Sequence, residues 1–305
     1  MNVPALRDAL LGWYRTYGRG DLPWRLRRDP YYTVVSEFML QQTQVDRVVP
    51  KFAAFVARFA TFGALAAAST ADVIRQWKGL GYNSRAVRLK RLAESVVADH
   101  GGFLPDDAAA LARLPGVGPY TLAAIAAFAF DRDAAACDTN VRRVVHRVAL
   151  GIEFPAKASN AQIDARALEL VPPGRSHDWN SAMMDLGATI CTARAPRCLL
   201  CPLQALCVAA PIDAVALEKL RGAVAAADKS APPPRFEETA RYARGRIVDR
   251  LRELPAHASI SFLDLHGDLN GRLPGRSPQE IDALIAALER DGIVETQDGS
   301  VRLHH

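Results

Sequence analysis

Nowhere in this 305-residue chain do eighteen or more apolar residues follow one another, so it offers no candidate for a membrane-spanning helix. The start, Met1-Asn-Val-Pro-Ala-Leu-Arg-Asp8, also lacks the basic segment and apolar core that direct export; it reads as the opening of a helix. The chain is therefore expected to be soluble and cytoplasmic, with no membrane partner. Cysteine is scarce, five residues in all, and without an export signal a disulfide framework is not expected.

What is present points to helices. Half the residues are apolar and the commonest pattern is an alanine-rich helical one, so a mostly α protein is expected, long enough for two or three domains. The formal net charge of +5 leans towards a polyanionic partner, and Arg25-Leu-Arg-Arg28 and Arg142-Arg143 add to that lean. By themselves such runs more often form a solvated basic surface.

The chain is organised around Leu114-Pro-Gly-Val-Gly118. Pro115, Gly116 and Gly118 read as a tight turn between the helix of residues 106–113 and an apolar helix, Pro119 to Phe130. A glycine turn that aims backbone N–H groups from a helix N-terminus suits an anion such as a phosphate. Before it, helical patterns cover residues 4–17 and 31–59, the latter expected to break near Pro50. Others start at Thr70, ending at Gly79-Leu-Gly-Tyr82, and run from Arg85 to His100. After it, helices are expected from Asn140 to about Leu150, from Asn160 to Val171 and from Asp178 to Ile190. Ala231-Pro-Pro-Pro-Arg235 reads as a stiff linker. Beyond it, two helical patterns and strands around Asp298-Gly299 suggest a small winged-helix module.

Four of the cysteines read Cys191-x6-Cys198-x2-Cys201-x5-Cys207. Four thiolates this close in an irregular loop suit a tetrahedral zinc or a cubane iron–sulfur cluster, and spacing leaves both open. Cys137 stands apart, as a small core residue beside Asp138.

Together the glycine turn, the Asp138 after its second helix and the cysteine loop resemble the helix-hairpin-helix DNA glycosylase superfamily. Leu22-Pro-Trp-Arg25, Ser36-Glu-Phe-Met-Leu-Gln-Gln-Thr-Gln-Val45, Gly79-Leu-Gly-Tyr82 and Ala182-Met-Met-Asp-Leu-Gly187 are similar to MutY-type adenine glycosylases, over residues 8 to 208. The resemblance implies a six-helix barrel domain plus an iron–sulfur domain, with Cys191, Cys198, Cys201 and Cys207 holding a [4Fe–4S] cluster. Expected boundaries are an N-terminal helix over 1–20, the barrel over 21–133, the cluster domain over 134–210, a linker over 211–235 and the winged-helix-like module over 236–305. That last module stands where such glycosylases usually carry a Nudix-like domain, and Thr139 stands where most have glycine.

The implied activity is monofunctional removal of adenine mispaired with 8-oxoguanine or guanine. Bifunctional relatives carry a lysine nucleophile at the position of Tyr120, and a Schiff base cannot form on tyrosine. Glu37, in an apolar stretch expected to raise its pKa, would protonate the base; Asp138 would stabilise the cationic sugar, with Asn140 and Tyr120 positioning it. Leu40, Gln41, Gln42 and Tyr82 would enter the duplex beside the flipped nucleotide. Gly116, Val117 and Gly118 would hold a phosphate, with an alkali cation at the turn's carbonyls. Arg142, Arg143, Arg194 and Arg197 would contact the DNA backbone, and Trp24 and Arg25 would line the base pocket. The expected partner is double-stranded DNA with a mispaired or damaged base, bound by a monomer. Uracil or thymine excision opposite guanine, and non-catalytic DNA binding, are the alternatives.

Overall fold

Asn2 starts the first helix: its side-chain oxygen accepts the Ala5 N–H at 3.2 Å, and Pro4 occupies the first turn. The computed structural model describes residues 1–154, 156–227, 234–273 and 275–305. In chain order the helices are α1 (Val3–Tyr17), α2 (Pro23–Leu26), α3 (Pro30–Leu40), α4 (Val45–Arg58), α5 (Phe62–Ala67) and α6 (Thr70–Gln76). Next come α7 (Ser84–His100), α8 (Ala108–Arg113), α9 (Pro119–Phe130), α10 (Thr139–Leu150), α11 (Asn160–Leu170), α12 (Ser176–Thr189) and α13 (Ala214–Ala227). The tail adds α14 (Ala240–Arg252), α15 (Phe262–Leu269) and α16 (Pro278–Arg290), with strands β1 (Ile260–Ser261), β2 (Val294–Gln297) and β3 (Ser300–Leu303).

The backbone gathers into two units, each made of several stretches of the chain. One comprises residues 1–33, 106–112 and 117 through α13; the other comprises 34–105, 113–116 and the tail from residue 234. The stretch expected as linker contains α13, and most of the proline run, up to residue 233, lies outside the described residues.

The first unit is built on helix stripes. Leu6 and Leu10 of α1, Val141, Val144, Val145 and Val148 of α10, Ile163 and Leu170 of α11, and Trp179, Met183 and Leu186 of α12 form one core. Their three- and four-residue spacings are the apolar face of each helix. Arg7 ties α1 to the end of α11, donating to the carbonyls of Glu169, Leu170 and Val171 at 2.9–3.0 Å. These are carbonyls that the end of a helix leaves without intrahelical partners.

Asp185 of α12 is 0 % exposed and needs partners. Arg25 supplies a two-pronged contact at 2.8 and 3.1 Å, and Arg19 adds its backbone N–H and its Nε, each at 2.8 Å. Arg25 is thus a structural tie of this unit. Burial works to raise the Asp185 carboxyl; the hydrogen bonds and charge of Arg25, with those of Arg19, outweigh it and hold the group below its ordinary 3.8. A depressed folded value means the tie stabilises above about pH 4 and fades as pH falls through that lower value. Asp185→Asn is expected to cost about 3–5 kcal/mol at pH 7. The gap to the parent in melting temperature should narrow towards pH 3; a constant gap would show that the charge contributes nothing.

In the second unit the break after α3 falls at Gln41–Gln44, not near Pro50, and α4 runs through Pro50. Gln42 adopts a left-handed φ of 55°, which ends the helix before the proline is reached. The tail runs helix, strand, helix, helix, hairpin, with sheet order β1-β3-β2 and all pairs antiparallel, a winged-helix arrangement. Its hairpin turns on Asp298 and Gly299, both at positive φ, as the sequence predicts. The pairing of β1 with β3 through Ile260 and Val301 is too short to read from the sequence. Ile247, Leu251, Leu265, Ile285, Val294 and Val301 share a core with Ala71 and Ile74 of α6 and Val87 of α7. Arg252 reinforces it, donating to the Ile74 carbonyl at 2.9 and 3.1 Å and to Asn83 Oδ1 at 2.8 Å.

Candidate active site

Asp138 caps α10. Its Oδ1 accepts the Val141 N–H at 2.7 Å and its Oδ2 accepts Asn140 Nδ2 at 2.8 Å, while Arg143 Nη2 donates to Asn140 Oδ1 at 2.8 Å. The carboxylate therefore has a fixed orientation at a helix N-terminus, where the peptide dipoles favour negative charge. Asn140 is held from the other side by Gly187 of α12. A Cβ at Gly187 would lie 2.7 Å from the Asn140 Cβ, so only glycine allows this approach. Asn180 of α12 fixes the approach to Asp138, accepting the Ala136 N–H at 2.7 Å and donating to the Ala134 carbonyl at 2.8 Å. Tyr120 stands half-buried in the first turn of α9, which begins at Pro119 with Gly118 as its N-cap. Val117 precedes the cap, and nothing lies within 4 Å of where a Gly118 Cβ would be. That side of the turn is open.

In the second unit Glu37 sits in α3, 7 % exposed, among the fully buried Val34, Val35 and Met39. Gly116 has φ 80°, and a Cβ there would come 3.0 Å from the Phe38 ring and 3.2 Å from the Arg88 Cβ. The glycine turn thus lies against the residue next to Glu37. Leu40 and Gln41 are partly exposed and Gln42 is exposed. Tyr82 has φ 46° at the end of the Gly79–Tyr82 loop, whose Gly81 carbonyl accepts Trp77 Nε1 at 3.1 Å.

One buried guanidinium joins these two corners, and sequence reading missed it. Arg85 donates to the carbonyls of Phe38 and Met39 at 2.8 and 2.9 Å, and to that of Gln41. It also donates to Thr43 Oγ1 at 3.0 Å and to the carbonyls of Leu80 and Gly81 at 2.8 and 3.1 Å. Its two terminal nitrogens, four N–H groups in one plane, satisfy the end of α3 and the loop together, while the buried Nε has no partner among the described residues. Burial draws Arg85 down to about 10, which leaves it charged at neutral pH.

Cys191, Cys198, Cys201 and Cys207 line one small cavity with Val144, Val148, Leu186 and Ile190. The Ile212 N–H points at Cys198 Sγ at 3.4 Å, and Arg147 Nη1 at Cys191 Sγ at 3.5 Å. Burial pushes the thiols of Cys191, Cys201 and Cys207 up, Cys201 to about 11. Such sulfurs favour the thiolate only when a cationic group binds them. Among the described residues no group of three or more His, Cys, Asp or Glu is placed to hold a single metal ion. A shared cavity with four sulfurs on its wall and N–H donors aimed at two of them fits a group bound through thiolates. Cys137 is buried and pushed up to about 12 by burial and Asp164, a core thiol.

The basic residues after Asp138 are engaged inside the protein. Arg142 makes a two-pronged pair with Asp164 at 2.7 and 2.8 Å. Arg143 donates to the carbonyls of Cys191 and Gly187 at 2.9 and 2.7 Å as well as to Asn140. Both side chains are thereby held in place around α10. Arg147, 0 % exposed, pairs with Glu153 at 2.6 and 2.7 Å and reaches the Thr192 carbonyl at 2.8 Å. Its place one turn after Arg143 on α10 was the available signal.

Residues 35–173 match the HhH-GPD superfamily of base excision DNA repair proteins, and the chain belongs to that superfamily. It is 38 % identical over 297 residues to the adenine DNA glycosylase of Mycolicibacterium smegmatis, across 96 % of this chain and 94 % of that one. To the adenine DNA glycosylase of Mycobacterium tuberculosis it is 43 % identical over 262 residues, across 84 % and 81 %. Among solved structures a thermostable thymine-DNA glycosylase superposes with a TM-score of 0.61 at 33 % identity, across 68 % of this chain and 95 % of that one.

Proposed function

We infer that this chain is an adenine DNA glycosylase of base excision repair, which hydrolyses the N-glycosyl bond of adenine mispaired with 8-oxoguanine or guanine. Similarity to adenine glycosylases along nearly the whole chain carries the reading. The target nucleotide must leave the stack before its glycosyl bond is accessible. Glu37 then protonates adenine at N7, the C1′–N9 bond breaks with its electron pair going to the base, and water adds to C1′ while giving a proton back to the Glu37 carboxylate. Asp138, aligned by Asn140, stabilises the positive charge that develops on the sugar, and Tyr120 positions it. Leu40, Gln41, Gln42 and Tyr82 hold the duplex open. The turn from Gly116 through Val117 to Gly118 takes a phosphate, with an alkali cation at its carbonyls.

Cys191, Cys198, Cys201 and Cys207 hold a [4Fe–4S] cluster. Through these four cysteines a bound cluster would tie the loop that carries Arg194 and Arg197, with no part in cleaving the glycosyl bond. Cys201→Ala is expected to lower iron content and visible absorbance, and to weaken DNA binding before it slows excision. A variant that binds normally but excises poorly would refute that order. The enzyme acts as a monomer on double-stranded DNA in the nucleoid.

Excision from duplexes with A:8-oxoG, A:G, U:G and T:G pairs tests the reading. Release of adenine from the first two supports it, and release of pyrimidines alone overturns it. Borohydride should trap little covalent complex with the parent protein, whereas Tyr120→Lys should give a detectable trapped species. Equal trapping by both would put another amine at the reaction.

A further inference from the structure

The loop that carries the four cysteines turns two of its leucines outward. Leu203 is buried in the core of the first unit, whereas Leu199 and Leu200, between Cys198 and Cys201, are 85 % and 65 % exposed. Leu199 is the most exposed large apolar side chain among the described residues, and the exposed Val208 adjoins Cys207. The chain's own backbone holds this display. Cys198–Leu200 is a single 3₁₀ turn, in which the Leu200 N–H donates to the Arg197 carbonyl at 3.0 Å and the Cys201 N–H to the Cys198 carbonyl at 3.1 Å.

Arg194 and Arg197 precede this pair of leucines, both exposed and neither with a carboxylate at ion-pair distance among the described residues. An apolar centre beside arginines is the composition of a protein-binding surface. A phosphate contact draws instead on charge and N–H donors, to which leucine adds nothing. Position says what the partner carries. Whatever covers Leu199 and Leu200 touches the residues next to two of the four ligand cysteines. A cluster held by the thiolates of a carrier is an anion, and the two unpaired guanidiniums complement it.

We propose that Leu199 and Leu200 are the docking point for a carrier protein that delivers the [4Fe–4S] cluster to this chain, an apolar contact steered by Arg194 and Arg197 towards the carrier's anionic face. The inference rests on reading the four cysteines as a cluster site. In the handover each iron exchanges a carrier thiolate for the sulfur of Cys191, Cys198, Cys201 or Cys207. Each thiol proton passes to the thiolate displaced, and no electron is exchanged. The carrier then departs, and the same arginines serve the DNA contact.

The test compares two routes of loading in the full chain, for the parent and for Leu199→Ser combined with Leu200→Ser. Along one route the protein is isolated under argon from the expressing cells. Along the other it is stripped of metal and reloaded with ferrous iron and sulfide, with no carrier present. Both leucines are exposed, and melting curves of the stripped proteins check that the variant folds. Two lost apolar side chains weaken docking about tenfold, so iron and sulfide per chain from cells should fall about threefold, repeated encounters making up the rest. Chemical loading should bring both proteins to equal iron and equal visible absorbance, and the reloaded variant should bind DNA as the parent does. A variant isolated from cells with as much iron as the parent would overturn the proposal. So would one that stays short of iron after chemical loading, which would make the leucines part of the cluster site. A variant that loads chemically but binds DNA poorly would assign them to the DNA contact instead. A parent that takes up iron by neither route removes the reading of the four cysteines itself.

Discussion

Glu37→Gln is expected to bind a mispaired duplex within about twofold of the parent and to release adenine about a hundred- to ten-thousand-fold more slowly, the range that a positioned proton donor supplies. The change keeps the volume and shape of a side chain that is 7 % exposed, so packing around Val34, Val35 and Met39 stays intact. What it removes is the acidic proton. Adenine leaves as a poor anion unless it is protonated, and an amide cannot do this. Single-turnover excision and fluorescence anisotropy separate the two quantities. Excision at more than a tenth of the parent rate would take Glu37 out of the reaction.

Arg85→Ala is expected to cost on the order of 4 kcal/mol of stability, among the largest effects of a single substitution. Six oxygen atoms accept from this guanidinium, and a buried acceptor stripped of its partner costs about 1–3 kcal/mol. Water entering the vacated space recovers part of that sum, so the total stays well below the full tally. Arg85→Lys should recover less than half of the loss, because one ammonium cannot reach the end of α3 and the Gly79–Tyr82 loop together. Excision should fall in the same variants even at temperatures where they remain folded, since Glu37 lies in the last turn of α3. Chemical denaturation gives the first number and single-turnover excision the second. A cost under about 1 kcal/mol would mean that these two corners hold their shape by other contacts.

The local features of this protein were legible because each is written within a few residues. The glycine turn before α9, the Asp138 cap, the cysteine spacing and the Asp298-Gly299 hairpin all carry their own chemistry at close range. What the sequence concealed were long-range pairings of ordinary residues. Arg25 and its partner Asp185 lie 160 positions apart. Arg142 and Arg143 read as a basic patch because nothing in the chain marks Asp164 or the carbonyls of Gly187 and Cys191 as their acceptors. Pro50 looked like the break in the first long helix. The real break is at Gln42, whose left-handed φ of 55° follows the Gln41 carbonyl that accepts from Arg85.

The union of the tail with α6 and α7 limits how its purpose can be probed. Cutting the chain before α14 would lay bare Ala71, Ile74 and Val87 and leave the Ile74 carbonyl without Arg252. A shortened protein would then clump or melt for reasons unrelated to any role of the tail. Exchange of the tail among relatives is constrained in the same way: an incoming module has to bring a greasy underside that matches this patch.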